Sequence, residues 1–288
     1  MSKFVIFTDS SCDLSSEMLA ELNILFLPLT FRFNGEDTEY SNGDMPSSEF
    51  YGKMRNGAIA KTSAVNNQAF TDAFKRLLAS GLDVLYIGFS SGLSTTYNSA
   101  RIAAAEAMAE YPERKIRVVD SLCASAGLGL LLKLTAEMRD SGATLDAAAD
   151  FAENTKMSIC HWFTVDDLVY LKRGGRVSPT VAFVGNILGI KPVMHVDNDG
   201  HLTNCMKVRG RRLAITTLAD KYTELAKTPE SGYVYISHGD CYKDASLLAE
   251  IIKERHGNSV DVITDVGPVI GAHSGPGTLA LFFVGKER

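Results

Sequence analysis

The sequence predicts a two-domain α/β protein. Residues 1–158 are expected to form an N-terminal α/β/α domain on a parallel sheet, and residues 159–288 an α+β domain with a mixed or antiparallel sheet. In the first half, strand-like apolar runs alternate with segments of helical periodicity, an order typical of parallel sheets covered on both faces. In the second half, the turn sequence Asp-Asn-Asp-Gly at 197–200 lies between two strand-like runs and predicts a hairpin.

The N-terminal elements follow from short apolar runs and from apolar residues spaced three or four positions apart. The predicted strands cover residues 4–8, 24–29, 84–88 and 116–120. The predicted helices are a short one around 18–22, capped by Asp13 or Ser15, and longer ones over 65–78, 96–111 and 124–138. Because these strands and helices alternate along the chain, they predict crossover connections and hence a parallel sheet.

The C-terminal elements are predicted by the same criteria. Strands are expected at 159–163, 190–196, 201–208, 233–237, 260–265 and 279–284, and helices at 165–172, 211–225 and 243–256. The stretch 266–285 contains five glycines and two prolines, which predicts turns between short strands. A hairpin together with helices favours a mixed or antiparallel sheet in this half.

Composition excludes several classes of protein. With 29 basic and 34 acidic residues the net charge is −5, so no overall attraction to nucleic acid is expected. Hydrophobic residues make up 45% of the chain, yet no run is apolar and long enough to span a bilayer, and no signal peptide is recognised. The five cysteines form no CxxC pair, which favours free thiols in the cytoplasm and predicts no metal site.

The segment 88–96 carries hydroxyl groups at the point where a strand ends and a helix begins. Hydroxyls, free backbone N–H groups and the positive end of a helix dipole suit an anion. Gly88-x-Ser90-x-Gly92 also matches the nucleophile elbow of esterases, and Asp265 and His273 follow in the order required for a triad. A serine hydrolase using Ser90, Asp265 and His273 is therefore the alternative to a binding protein.

Two further features suggest a ligand or a partner. His273 lies among three glycines in 271–278, where the backbone can approach a ligand closely and the ring can donate a hydrogen bond. Basic clusters at 172–176 and 207–212 interrupt an acidic chain, and they predict a docking face for an acidic partner or a site for phosphoryl charge. No nucleotide-binding fingerprint is present, so no cofactor is expected.

Several of these motifs occur together in one known family. They are 8–14 (TDSSCDL), 61–63 (KTS), 90–97 (SSGLSTTY), 119–121 (VDS), 171–176 (LKRGGR), 187–192 (ILGIKP), 207–210 (KVRG) and 271–277 (GAHSGPG). In this order and spread over nearly the whole chain, they resemble the DegV family of fatty-acid-binding proteins, which includes the carrier subunit of bacterial fatty acid kinase.

The resemblance implies a non-catalytic carrier that holds a long-chain fatty acid between its two domains and presents it to a separate ATP-dependent kinase, giving an acyl-phosphate. The carboxylate is then expected to bind near residues matching the family's polar motifs, which are Thr62, Ser63, Ser91, Ser94 and His273. Arg209, with Arg173 and Arg176, is expected to face the kinase or the phosphoryl group. Transient membrane contact is expected for ligand exchange, and another amphipathic carboxylate is the alternative ligand.

The acyl chain requires an apolar lining. Residue type and segment alone suggest as lining Phe26, Phe33, Ile159, Trp162, Phe163, Phe183, Ile187, Leu188 and Phe283. The sequence departs from the family pattern beside the expected head-group site, with Ala64-Val65 in place of Gln-Pro and Thr95 in place of Gly. These departures bear on carboxylate geometry and on competence with the kinase.

Overall fold

The computed structural model describes residues 4–177 and 189–288. The strands are β1 (Phe4–Asp9), β2 (Ile24–Leu27), β3 (Thr30–Phe33), β4 (Tyr40–Ser41), β5 (Ala60–Ser63), β6 (Asp83–Gly88), β7 (Ile116–Asp120), β8 (Ile159–Thr164), β9 (Ile190–Val196), β10 (Leu202–Arg209), β11 (Val234–His238), β12 (Val262–Asp265) and β13 (Leu279–Val284). The α-helices are α1 (Ser16–Glu21), α2 (Ser47–Arg55), α3 (Asn67–Ala79), α4 (Thr96–Glu110), α5 (Ala126–Asp140), α6 (Leu145–Thr155), α7 (Val169–Arg173), α8 (Arg211–Leu225), α9 (Tyr242–His256) and α10 (Pro268–Ser274).

The N-terminal sheet is parallel throughout, in the order β2-β1-β6-β7. Helices α3 and α4 cover one face, where Phe7 and Tyr86 pack with Phe70 and Phe74. Helices α5 and α6 cover the other face. The predicted α/β/α arrangement is therefore confirmed, and the loops at the carboxyl ends of β1 and β6 lie at one edge of the sheet.

The C-terminal sheet has six strands in the order β10-β9-β8-β13-β11-β12. β11 and β12 are parallel and the other neighbours are antiparallel, so the sheet is mixed, as predicted. The predicted hairpin is the β9–β10 pair, with its turn at Asp197–Gly200. Helices α8 and α9 cover one face of this sheet and bury the side chains of Trp162 and Phe283.

Helix α5 lies between the two sheets. Its residues Leu128 and Leu131 are fully buried in one apolar cluster that contains Ile87 of the parallel sheet and Phe282 of the mixed sheet. The first seven residues of α5, 126–132, are all buried. A helical segment buried on all sides needs apolar residues on all sides, which explains why the longest apolar run of the chain ends here. The strands of the two sheets fall on either side of residue 158, but α5 packs against both, and the boundary at 158 stays a prediction.

A third, antiparallel sheet, β4-β3-β5, was not predicted. Together with α2 it forms an aromatic cluster of Phe31, Phe33, Phe50 and Tyr51 that packs on Ala272 of α10. The Tyr51 hydroxyl donates to the Val266 carbonyl oxygen at 2.7 Å, which fixes this unit to the segment leading into α10. Its strands have four residues or fewer, too short for a sequence period to be recognised.

The prediction of turns across 266–285 is wrong at its centre, because Pro268–Ser274 is a helix. Pro268 occupies the first turn, where the missing N–H leaves no hydrogen bond unmade, and Gly275 ends the helix at φ +82°. The helix predicted at 165–172 begins later, at Val169, and the helices α2 and α6 were not predicted. Within the described residues, no helix is long and apolar enough to cross a membrane.

Candidate functional site

A cavity of about 520 Å³ lies where the carboxyl ends of the parallel strands face the mixed sheet. This volume lies within the usual range of small-molecule sites. Most of its lining is apolar, and these residues are Leu29, Ala64, Phe89, Leu93, Ala124, Phe163, Leu171, Val196, Leu202, Val266, Val269, Ile270, Ala280 and Phe282. The arrangement provides an apolar wall with polar side chains contributed by several segments.

The polar group expected from the resemblance is brought together. Thr62 at the end of β5, Ser91 and Ser94 on the loop after β6, and His273 on α10 all line the cavity. They come from three separate segments of the chain. The packing of β5 against α10 places Thr62 beside His273, and the loop after β6 borders the same cavity.

His273 is held by a hydrogen bond and by close packing. Its Nε2 lies 2.8 Å from Thr62 Oγ1, and its buried Nδ1 has no partner among the described residues. Because an unpaired buried N–H is rarer than an unpaired acceptor, we assign the proton to Nε2, which donates to Thr62. The Thr62 hydroxyl proton then remains available to a ligand. A Cβ on Gly174 would lie 2.2 Å from Nδ1, so glycine is needed there.

The charge state of His273 follows from its surroundings. Burial, assisted by the positive charge of Arg176, lowers the pKa of His273 to about 4. The ring is therefore neutral at pH 7 and acts by hydrogen bonding. His273 therefore supplies no positive charge to an anion bound here.

Ser94 lies two residues before Thr96, the first residue of α4. Its Oγ lies 2.9 Å from Thr96 Oγ1 and accepts from the Thr96 N–H at 3.2 Å. The side chain therefore accepts a hydrogen bond from the first backbone N–H of α4 while bordering the cavity, at the positive end of the helix dipole. In the same loop Gly92 is pressed against the β9–β10 turn, since a Cβ would lie 2.9 Å from the Gly200 carbonyl oxygen.

Three of the remaining polar residues predicted for the site do not line the cavity. Ser63 is exposed and does not border the cavity, because neighbouring residues of β5 point to opposite faces and Thr62 faces inward. Arg173 is exposed and lies over the Tyr170 ring, with its guanidinium carbon 5.6 Å from the ring centroid. Arg209 is exposed at the end of the edge strand β10. Arg176, by contrast, lines the cavity.

The sequence assigns the apolar lining to the right strands in β8 and β13, but often to residues on the wrong face of the strand. On β8, Phe163 lines the cavity and Trp162 points to the opposite face of the sheet. On β13, Phe282 lines the cavity and Phe283 points to the opposite face. The remaining expected lining residues with described positions also lie away from the cavity: Ile159 in the central core, Phe33 in the α2 cluster and Phe26 on the exposed edge strand β2. Phe183, Ile187 and Leu188 lie outside the described residues.

The hydrolase triad is not assembled. The Ser90 hydroxyl is fully buried and donates to the Gly200 carbonyl oxygen at 2.9 Å, whereas His273 is paired with Thr62. Asp265 lies beside His238, with 3.3 Å between its carboxylate and Nδ1. The three residues therefore do not form a triad, and the prediction of a serine hydrolase is wrong. The Ser90 hydroxyl instead holds the β9–β10 turn.

A buried polar network beside the cavity was not predicted. The Ser125 hydroxyl donates to Asp13 at 2.5 Å and lies 2.9 Å from the hydroxyl of Ser237, and both serines line the cavity. Asp13 also accepts from the Gly267 N–H at 3.0 Å, at the start of α10. Asp13 has φ +51°, so the chain turns sharply after β1 to bring its carboxyl group between the two sheets. No sequence spacing links positions 13, 125 and 237.

The described residues contain no group of three or more His, Cys, Asp or Glu side chains arranged to hold a metal ion. The polar side chains around the cavity instead carry hydroxyls, the two imidazoles of His161 and His273, and one guanidinium. This set can donate hydrogen bonds to an anionic head group.

Comparisons with known proteins agree with this picture. A family model described as "Uncharacterised protein, DegV family" matches residues 3–286. A DegV domain-containing protein of Clostridium perfringens is 41% identical over 291 aligned residues, covering 100% of this chain and 99% of the relative.

Two solved structures carry the same fold. A stearic-acid-binding protein of Eubacterium ventriosum is 25% identical and superposes with a TM-score of 0.88 over 98% of both chains. A DegV family protein of Thermus thermophilus, described by its fatty acid binding, is 26% identical and superposes with a TM-score of 0.87, covering 98% of this chain and 99% of its own.

The Asp13 network generates a prediction about stability. Burial raises the pKa of Asp13 from 3.8 to about 7, so between these pH values the unfolded chain ionises while the folded protein stays protonated. This contribution to stability is complete below pH 4 and decreases, by at most about 4 kcal/mol, as the pH rises to 7. Asn does not titrate, so we expect the stability of Asp13→Asn to lack this pH-dependent contribution. In thermal melts from pH 4 to 8, wild type should lose stability relative to the variant. A difference that does not vary with pH would contradict the assignment.

Proposed function

The chain belongs to the DegV family, and we propose that it binds one long-chain fatty acid in the cavity and presents the acid to a separate kinase. The observation that carries this proposal is the division of the lining into an apolar wall and a set of hydrogen-bond donors that includes Thr62, Ser94 and His273. An amphipathic carboxylate matches both parts. The two structural neighbours described above are proteins whose descriptions state fatty acid binding.

In this proposal Thr62 and Ser94 donate hydrogen bonds to the carboxylate. The His273 Nε2–H occupies an acceptor site of the Thr62 hydroxyl, so the Thr62 proton is directed toward the ligand. Buried carboxylates need such partners, because an unpaired buried charge costs several kcal/mol. The hydroxyls of Thr62 and Ser94 supply such partners through neutral donors.

The acyl chain lies along the apolar wall formed by Phe163, Ala280 and Phe282 of the mixed sheet and by Leu29 and Phe89 of the opposing loops. Each buried methylene contributes about 0.8 kcal/mol, so a chain of about sixteen carbons supports tight binding even after large entropic losses. Affinity then comes mainly from the tail, and the head-group donors fix its direction.

Presentation to a kinase is the finer part of the proposal. A carboxylate oxygen of the bound acid would attack the γ-phosphorus of ATP held by the kinase, releasing ADP and forming the acyl-phosphate. The carrier is not catalytic in this scheme, which fits a sequence without a nucleotide-binding fingerprint. The exposed guanidinium groups of Arg209 and Arg173 are then docking groups for the kinase. Because the reaction uses ATP, the scheme places the protein in the cytoplasm, with transient membrane contact for ligand exchange.

Two neighbouring residues of β5 test the head-group assignment. Thr62→Val keeps the shape of the side chain but removes the hydroxyl donor, so hexadecanoic acid should bind about tenfold more weakly. Ser63→Ala is the matched control, because Ser63 points away from the cavity, and its affinity should stay within about twofold of wild type. Isothermal titration calorimetry measures both. Equal weakening in the two variants would contradict the assignment, as would no effect in either.

Arg209 tests the presentation step. Because Arg209 is exposed and is not among the described residues that line the cavity, Arg209→Ala should bind hexadecanoic acid as wild type does. With the kinase and ATP added, acyl-phosphate formation should fall at least about tenfold if a buried interfacial ion pair is lost. The two readouts are measured on the same preparation. Parallel loss of binding and of phosphorylation would refute a docking role.

A further inference from the structure

Arg176 is anchored by the backbone at the head-group end of the cavity. Its Nε–H donates to the Leu93 carbonyl oxygen at 3.1 Å and its Nη1–H to the Gly174 carbonyl oxygen at 2.5 Å. Leu93 directly precedes Ser94, and Gly174 packs against the His273 ring. The two anchors therefore hold the guanidinium between the two sides of the proposed carboxylate site.

The charge of Arg176 has no anionic partner. It forms no ion pair with any carboxylate of residues 4–177 or 189–288, and the remaining stretches, 1–3 and 178–188, contain neither Asp nor Glu. Within the described residues, two of its five N–H donors have protein acceptors. A partly buried cation in this state has lost water without gaining an anion, and burial accordingly lowers the pKa of Arg176.

No other charge of the described lining competes for this role. Among the described residues bordering the cavity, Arg176 is the one side chain that is charged at neutral pH. The lowered pKa values of His273 and of the fully buried His161, about 4 and about 3, keep both rings neutral. The remaining polar lining consists of hydroxyls and backbone groups. Because they are neutral donors, these groups can also hold a hydroxyl or ester head group, and they distinguish it from a carboxylate less strongly than a cation does.

We propose that Arg176 makes the cavity selective for an ionised head group over a neutral one on the same hydrocarbon chain. The inference rests on the proposed function, since it assumes that a fatty acid occupies the cavity. Thr62 and Ser94 then position the carboxylate, and Arg176 supplies its counter-charge through a charge-assisted hydrogen bond. The role differs from that of the exposed Arg173 and Arg209, which face outward. Arg176 is then a specificity-determining residue. It lines the cavity, whereas Lys172 and Arg173 of the same basic cluster are exposed.

The test compares hexadecanoic acid with hexadecan-1-ol, both radiolabelled, in equilibrium binding at pH 7.5. Wild type should prefer the acid. Arg176→Gln should lower the affinity for the acid about 10- to 100-fold and leave the affinity for the alcohol within about threefold. Arg176→Lys should recover part of the preference, because it keeps the charge and loses the planar fork. Lys172→Gln is the matched control, since it removes an exposed charge from the same basic cluster and should change neither affinity.

The outcomes separate the two proposals. If wild type binds neither compound, the proposed function fails, and the selectivity inference fails with it. If wild type binds the acid and Arg176→Gln keeps the acid preference, the inference alone is overturned. Equal weakening of acid and alcohol in Arg176→Gln would also overturn it, because Arg176 would then shape the cavity rather than recognise charge. Thermal melting of each variant shows whether the fold is intact.

Discussion

The hydrogen bond between Thr62 and His273 joins the two parts of the chain on which the polar end of the cavity depends. Thr62 belongs to the small antiparallel sheet and His273 to α10, and 211 positions separate them in the sequence. The Tyr51 contact to the Val266 carbonyl oxygen and the fit of Gly174 against the His273 ring hold the same junction. If this junction opened, the cavity would retain its apolar wall but lose its ordered donors.

The polar residues around the cavity differ in charge, and this difference separates their roles. Burial keeps His273 neutral, so the imidazole can orient a hydroxyl without competing for the charge of a ligand. Arg176, held by two carbonyl groups, is then the source of positive charge among the described lining residues. A neutral hydrogen-bond scaffold with one cation suits a ligand that carries a single negative charge. In the proposed complex, the hydrocarbon tail would lie against lining residues that carry no ionised group.

Much of this arrangement could be predicted from the sequence, and the failures have physical causes. The alternating strands and helices gave the parallel sheet, and the turn at 197–200 gave the hairpin. The faces of β8 and β13 could not be assigned, because a strand buried on both sides has no polar alternation to distinguish Trp162 from Phe163. Helix α10 was missed because its glycines and Pro268 are typical of turns. The Asp13 network joins positions that no local pattern connects.

The central claim is that the cavity holds a fatty acid. Native mass spectrometry of the intact protein purified from cells tests it most directly, with the bound species identified after organic extraction. The account predicts a complex heavier than the chain by one long-chain fatty acid, with Thr62→Val carrying less of it. A protein that carries no lipid, and that takes up no added hexadecanoic acid at micromolar concentration, would contradict the account.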